Sequence, residues 1–196
     1  MKILLTSALL LVITASGTKP ATPDNPAFTC TLTSDKTIYK LGEVPKLEVR
    51  IINNTKKAVY LIGSLDGSAS GRRMPACYFN IEKPHPDTVH FFGCGVTNSI
   101  RPADFQQVKP AQQFDPYQTK DDYGYFTDYV ATQPATYRQP GTYKIQFHYS
   151  TAANNLHEFV GTSWSRNYDS LQLKDMLSRI PKIELVSNEI EIKVER

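Results

Sequence analysis

The four histidines and three cysteines are the residues best suited to metal binding or nucleophilic chemistry. Their spacing supports neither. There is no Cys-x-x-Cys pair, and His157-Glu158 lacks the second histidine of a His-Glu-x-x-His zinc helix. His90 and Cys94 can share one strand face, but two ligands do not complete a site. A serine hydrolase would want Gly-x-Ser-x-Gly, and the chain has none. A cysteine nucleophile needs an exposed thiol beside a base, whereas these cysteines read as core or bridged. Asp115, Asp121, Asp122 and Asp128 could offer oxygens to calcium, but their spacing fits no EF-hand. No catalytic residue, cofactor or metal is expected.

The pattern that does carry chemistry is aromatic. Tyr117, Tyr123, Tyr125, Phe126, Tyr129 and Tyr137 crowd into one connection, and Trp164, the only tryptophan, lies in the next long one. Loop tyrosines offer rigid contact area with a hydrogen-bonding tip. One reading makes Tyr117, Tyr123, Tyr125, Phe126 and Tyr129, with Trp164, a recognition surface for a glycan or an extracellular protein. The other folds these rings down as a satellite core.

Around these residues the elements read as short strands. In 76–94, Cys77, Phe79 and Ile81 alternate with Tyr78, Asn80 and Glu82. Pro84-His85-Pro86-Asp87 makes a turn, because proline cannot donate to a sheet ladder. Folding 88–94 back sets Cys77 opposite Cys94, which predicts a disulfide between them. Cys30 shares an apolar face with Phe28 and Leu32 and is expected to remain a buried free thiol.

The amino terminus reads as a targeting segment. Lys2 precedes an apolar run, Ile3 to Ile13, too short to span a bilayer, and Ala15-Ser16-Gly17 suits cleavage. Residues 1–17 are the expected signal peptide and 18–27 a proline-rich flexible leader. Residues 28–196 are one domain, secreted or periplasmic, without a lipid-anchor cysteine or membrane insertion. Losing residues 1–17 removes one lysine and no acid, so the net charge falls from +3 to +2. That is too mild for nucleic-acid binding.

Strands are expected at 28–33, 37–41, 46–52, 58–62, within 105–114, and at 141–150, 183–186 and 190–194. Gly141 to Ser150 is the clearest, with Tyr143, Ile145, Phe147 and Tyr149 on one face. Asn53-Asn54-Thr55 matches the glycosylation pattern and is expected on an exposed turn. Leu173, Met176, Leu177 and Ile180 fall at helical spacing, with Asp169 as cap and Pro181 as stop. No βαβ alternation occurs, so the fold class is all-β: an antiparallel sandwich with long decorated loops and one short helix near the C-terminus.

The run SDKTIYKLGEVPKLEVRIINNTKKAVYLI resembles the opening of exported bacterial immunoglobulin-like domains. BsuPI-type proteinase-inhibitor domains and macroglobulin-type domains are similar here. PGTYKIQFHY and SNEIEIKV resemble their last strands, with Tyr143 placed like the tyrosine of a tyrosine corner. The strand at 46–52 carries no cysteine, so the antibody inter-sheet disulfide is absent. The resemblance implies an immunoglobulin-like sandwich and says little of function, because that fold hosts many roles. A non-enzymatic binding module is the favoured expectation. A protease-inhibitor-like domain, an unrecognised hydrolase or a hydrolase accessory domain are the alternatives.

Overall fold

The structure is a computed structural model and describes residues 27–63, 77–85, 102–116, 131, 133–152 and 170–196. Its longest strand is β8 (Gly141–Ser150), with Tyr143, Ile145, Phe147 and Tyr149 buried and the residues between them less so. This is the alternation of a strand with one face on a core. Strand β5 (Cys77–Glu82) pairs antiparallel with β8, so that Cys77 lies opposite Tyr149 and Phe79 opposite Phe147. Strand β10 (Ile190–Glu195) takes the other edge of β8, and β9 (Glu184–Val186) pairs with the end of β8. Strand β2 (Ile38–Lys40) completes this sheet, in the order β2-β10-β8-β5.

A second sheet orders β1-β3-β7, from β1 (Phe28–Ser34), β3 (Leu47–Asn53) and β7 (Gln113–Phe114). A third joins β4 (Val59–Ile62) to β6 (Phe105–Val108). One hydrophobic cluster takes side chains from all three sheets, among them Leu32, Ile51, Leu61, Tyr143 and Phe147. A smaller cluster gathers Ile62, Phe105 and Leu173. Leu173 belongs to α1 (Ser170–Ser178), whose Met176 and Leu177, with Ile180 just beyond, pack on that cluster as their spacing predicts. The described residues are thus mostly strand with one short helix, an all-β chain.

Two expectations are corrected. The sheet containing β8 is not wholly antiparallel, because β2 runs parallel to β10. Ser34 leaves one sheet and Ile38 joins another, so the turn between them is no hairpin and imposes no antiparallel sense. Nor is Asn53 exposed: it is the last residue of β3 and 0% exposed. The inward face predicted for Leu47, Val49 and Ile51 simply continues one step further. Asn53 then does a turn's hydrogen bonding from inside. Its amide donates to the Lys57 and Val108 carbonyls, each at 2.9 Å, and its side-chain oxygen accepts from the Thr55 N–H and hydroxyl. Its backbone carbonyl accepts from Ala111, at 2.8 Å, which holds that residue in the left-handed region at φ 60°.

Candidate functional site

Of the aromatic connection, the described residues include only its two flanks. Tyr117, Tyr123, Tyr125, Phe126, Tyr129 and Trp164 lie outside the described residues, as do Asp121, Asp122, Asp128, His90, His157, Asp169, the 88–94 return limb with Cys94, and the segments 1–17 and 18–26. On the incoming flank, Phe114 pairs with Ile51 and stands edge-on to Tyr149, with ring centroids 6.1 Å apart. On the outgoing flank, Pro134–Tyr137 forms a 3-10 turn. Tyr137, one of the six crowded aromatics, is 0% exposed. Its hydroxyl donates to the Ala131 carbonyl at 3.0 Å, its ring lies 5.5 Å from that of Tyr143, and its carbonyl accepts from the Gly42 N–H. This member of the group is therefore core.

Tyr137 is one of four buried tyrosines that fasten connections. Tyr143 donates to the Gln139 carbonyl at 2.9 Å, four residues upstream, which is tyrosine-corner geometry. Tyr39 donates to Asp35 Oδ1 at 2.6 Å and to the Lys36 carbonyl at 2.9 Å. Burial, then the Asp35 contact, push its phenol up to about 12, so it stays a donor. Tyr149 reaches across to β4, donating to the Ile62 carbonyl at 3.1 Å and accepting from the Ile62 N–H at 3.0 Å. Burial raises its phenol pKa as well. Periodicity foretold that Tyr143 and Tyr149 face inward. It carried no sign of what their hydroxyls reach.

Tyr149 helps to define one end of the molecule. β4 and β8 stop there, and β5 and β6 begin there, with α1 packed beside them. The Gly63 N–H donates to the Asp104 carbonyl at 2.7 Å. A Cβ on Gly63 would stand 2.6 Å from Gln106 Nε2 and 3.1 Å from the Phe114 ring, so a larger residue would require the end of the Gln106 side chain to move and the Phe114 ring to give slightly. The Thr151 hydroxyl donates to the Pro181 carbonyl at 2.6 Å and accepts from the Ile183 N–H. Residues 63 and 77, 152 and 170, which bound the segments 64–76 and 153–169, and residue 102, which follows 86–101, are held at this end, whereas residue 85, which precedes 86–101, follows β5 to the start of β8. Residue 137 likewise adjoins the start of β8. The outgoing flank of the tyrosine-rich segment is thus fastened at the start of β8, while its incoming flank, Phe114, lies against Tyr149 at the same end as residues 152 and 170, which bound the segment that contains Trp164.

The cysteines offer no reactive centre among the described residues. Cys77 is buried at the start of β5. Cys30 is half-buried on β1 against the main cluster, and burial pushes its thiol up to about 12. It is therefore protonated at neutral pH, the opposite of an activated nucleophile. His148 stacks on Tyr78 across β5 and β8, centroids 4.7 Å apart and rings 4° from parallel, and burial lowers its pKa. Among the described residues no group of three or more His, Cys, Asp or Glu side chains could hold a metal ion, and no helix is long and apolar enough to cross a membrane.

One fastening was missed from sequence altogether. The Asn188 side chain accepts from the Leu32 N–H at 2.9 Å and donates to the Leu32 carbonyl at 3.0 Å. Next to it the buried Ser187 accepts from the Phe147 N–H, and its own N–H donates to the Phe147 carbonyl. Two adjacent residues so join β1 of one sheet to β8 of another. Ser-Asn between two strands reads only as a turn. Against this geometry, no protein-family model, no curated protein and no solved structure matches the chain.

Proposed function

We propose that the chain is an exported, non-enzymatic binding module, built on an immunoglobulin-like sandwich, that recognises a glycan or an extracellular protein through the tyrosine-rich segment. The strand orders β1-β3-β7 and β10-β8-β5 support the fold, since they parallel the ABE and GFC sheets of immunoglobulin domains. The Tyr143 contact to Gln139 supports it further. The apolar run behind Lys2 supports export.

The observation that carries the functional reading is a division of labour among the tyrosines. Four buried phenols are spent on fastening the body, and Tyr137 and Phe114 fix both flanks of the segment in which Tyr117, Tyr123, Tyr125, Phe126 and Tyr129 are concentrated. A rigid frame carrying an aromatic-rich connection is the usual arrangement of a binding loop.

The test replaces Tyr123, Tyr125 and Phe126 by alanine, singly and together, in the mature protein. The expected result is loss of binding on glycan arrays and in pull-downs from extracellular fluid, with the melting temperature nearly unchanged. A drop of several degrees for each single variant would assign the rings to packing instead, since a buried aromatic is worth about 3–5 kcal/mol.

A further inference from the structure

Strand β2 is a short edge whose outward groups are treated unusually. The Thr37 carbonyl and the Leu41 N–H bond to Lys193 and Glu195 of β10. Alternation then turns the backbone groups of Ile38 and Lys40 away from β10, toward the edge. An unpaired edge of this kind is a template for another strand. Ile38 is 53% exposed and Leu41 43%, two of the three large exposed hydrophobics among the described residues. The edge is therefore adhesive in both its side chains and its backbone.

Glu43 occupies it. Its carboxylate Oε2 accepts from the Lys40 N–H at 2.9 Å, and its own N–H donates to the Lys40 carbonyl at 2.9 Å. Gly42, at φ +75°, makes the reversal that brings Glu43 back over Lys40. The other carboxylate oxygen pairs with the Lys36 ammonium, and Lys36 lies over the Tyr39 ring at 4.8 Å. The Lys36 contact, then the Lys40 N–H, hold the Glu43 carboxyl below the usual range, against smaller opposing effects of desolvation and then Asp35. One residue thus takes both outward groups of Lys40 and is itself braced.

We propose that Glu43 is an edge guard: it closes the outward backbone of β2 so that the Ile38–Leu41 edge does not accept a strand from a second copy of this chain. An ordinary turn hydrogen bond would stabilise the turn and leave the association state alone. The guard makes a different forecast. Glu43→Ala raises the mass-average in sedimentation above the wild-type value, increasingly with concentration, and adding Ile38→Lys to that variant returns it to the wild-type value. An unchanged mass-average for Glu43→Ala, or association that survives Ile38→Lys, overturns the proposal. Hydrogen exchange on the wild-type chain gives a second reading that needs no variant. The Lys40 amide should exchange at least tenfold more slowly than the Ile38 amide, although both face the same edge. Equal rates overturn the guard.

Discussion

The main hydrophobic cluster and the smaller one beside α1 share a strand. In β4, Val59 and Leu61 pack on the first and Tyr60 and Ile62 on the second. β4 is thus covered on both faces, whereas β8 presents one face to the core and leaves Lys144, Gln146 and His148 outside it. The main cluster is made by strands and spans three sheets. The small one is made where strands end and a helix docks. A cluster of the first kind is held by its whole surroundings. One of the second kind depends on a single helix remaining docked, so the two should differ in cost when cut and in what happens elsewhere.

The sharpest separation is expected from truncation. Phe147→Ala removes a ring that is 0% exposed and packed 5.1 Å from Phe79, and should cost about 3–5 kcal/mol in chemical denaturation. Leu173→Ala should cost about 2–3 kcal/mol, at the lower end for a buried leucine, because the site is small and able to collapse. Its helix amides should also exchange by local opening, ahead of those in β8. Equal costs and equal protection would merge the two clusters into one cooperative unit.

A smaller effect is expected where Tyr149 links them. Tyr149→Phe leaves the Ile62 N–H and carbonyl buried without their partner, which should cost about 1–3 kcal/mol. Tyr143→Phe gives up a bond to half-buried Gln139 and should cost about 1 kcal/mol. Reversal of that order in paired melts would mean that the corner at β8, not the bridge to β4, holds the frame.

The smallest effect is on pH dependence. Burial lowers the His148 pKa in the folded chain, so the unfolded chain binds the proton more readily. The stability linked to neutral His148 is complete above its ordinary value of about 6.5 and is lost as pH falls from there toward the folded value. His148→Gln should flatten the slope of stability against pH just below that point. An unaltered slope would place the wild-type dependence on other groups.

Much of the frame was legible because one-sided burial writes itself as alternation. β3, β8 and β10 and the stripe on α1 were read in this way. β4 was legible as a strand, yet a strand covered on both faces has no alternation to announce its two clusters. Less legible were bonds made by single polar side chains over long separations. Asn53 matched a surface motif and is buried, because a pattern of three residue types says nothing about the Val108 carbonyl it must satisfy. Asn188 and Glu43 stand where a neighbouring strand would, and such substitution leaves no periodicity. None of the candidate recognition residues falls among the described ones; their neighbour Tyr137 does and is buried, since local crowding of aromatics is common to surfaces and cores.

The clamp of Asn188 on Leu32 spans 156 positions of chain. A ribosome that has finished β1 and β3 can already pair them, but the free side of β1 at Leu32 must wait for Asn188. Early segments therefore emerge with an unfinished border, and this border closes only after Asn188 has been synthesised. Such late closure slows folding, as long-range contacts do. If the chain is exported, as proposed above, slowness is compatible with passage through a membrane pore: it keeps the thread unlocked until both of its distant borders have arrived on the same side.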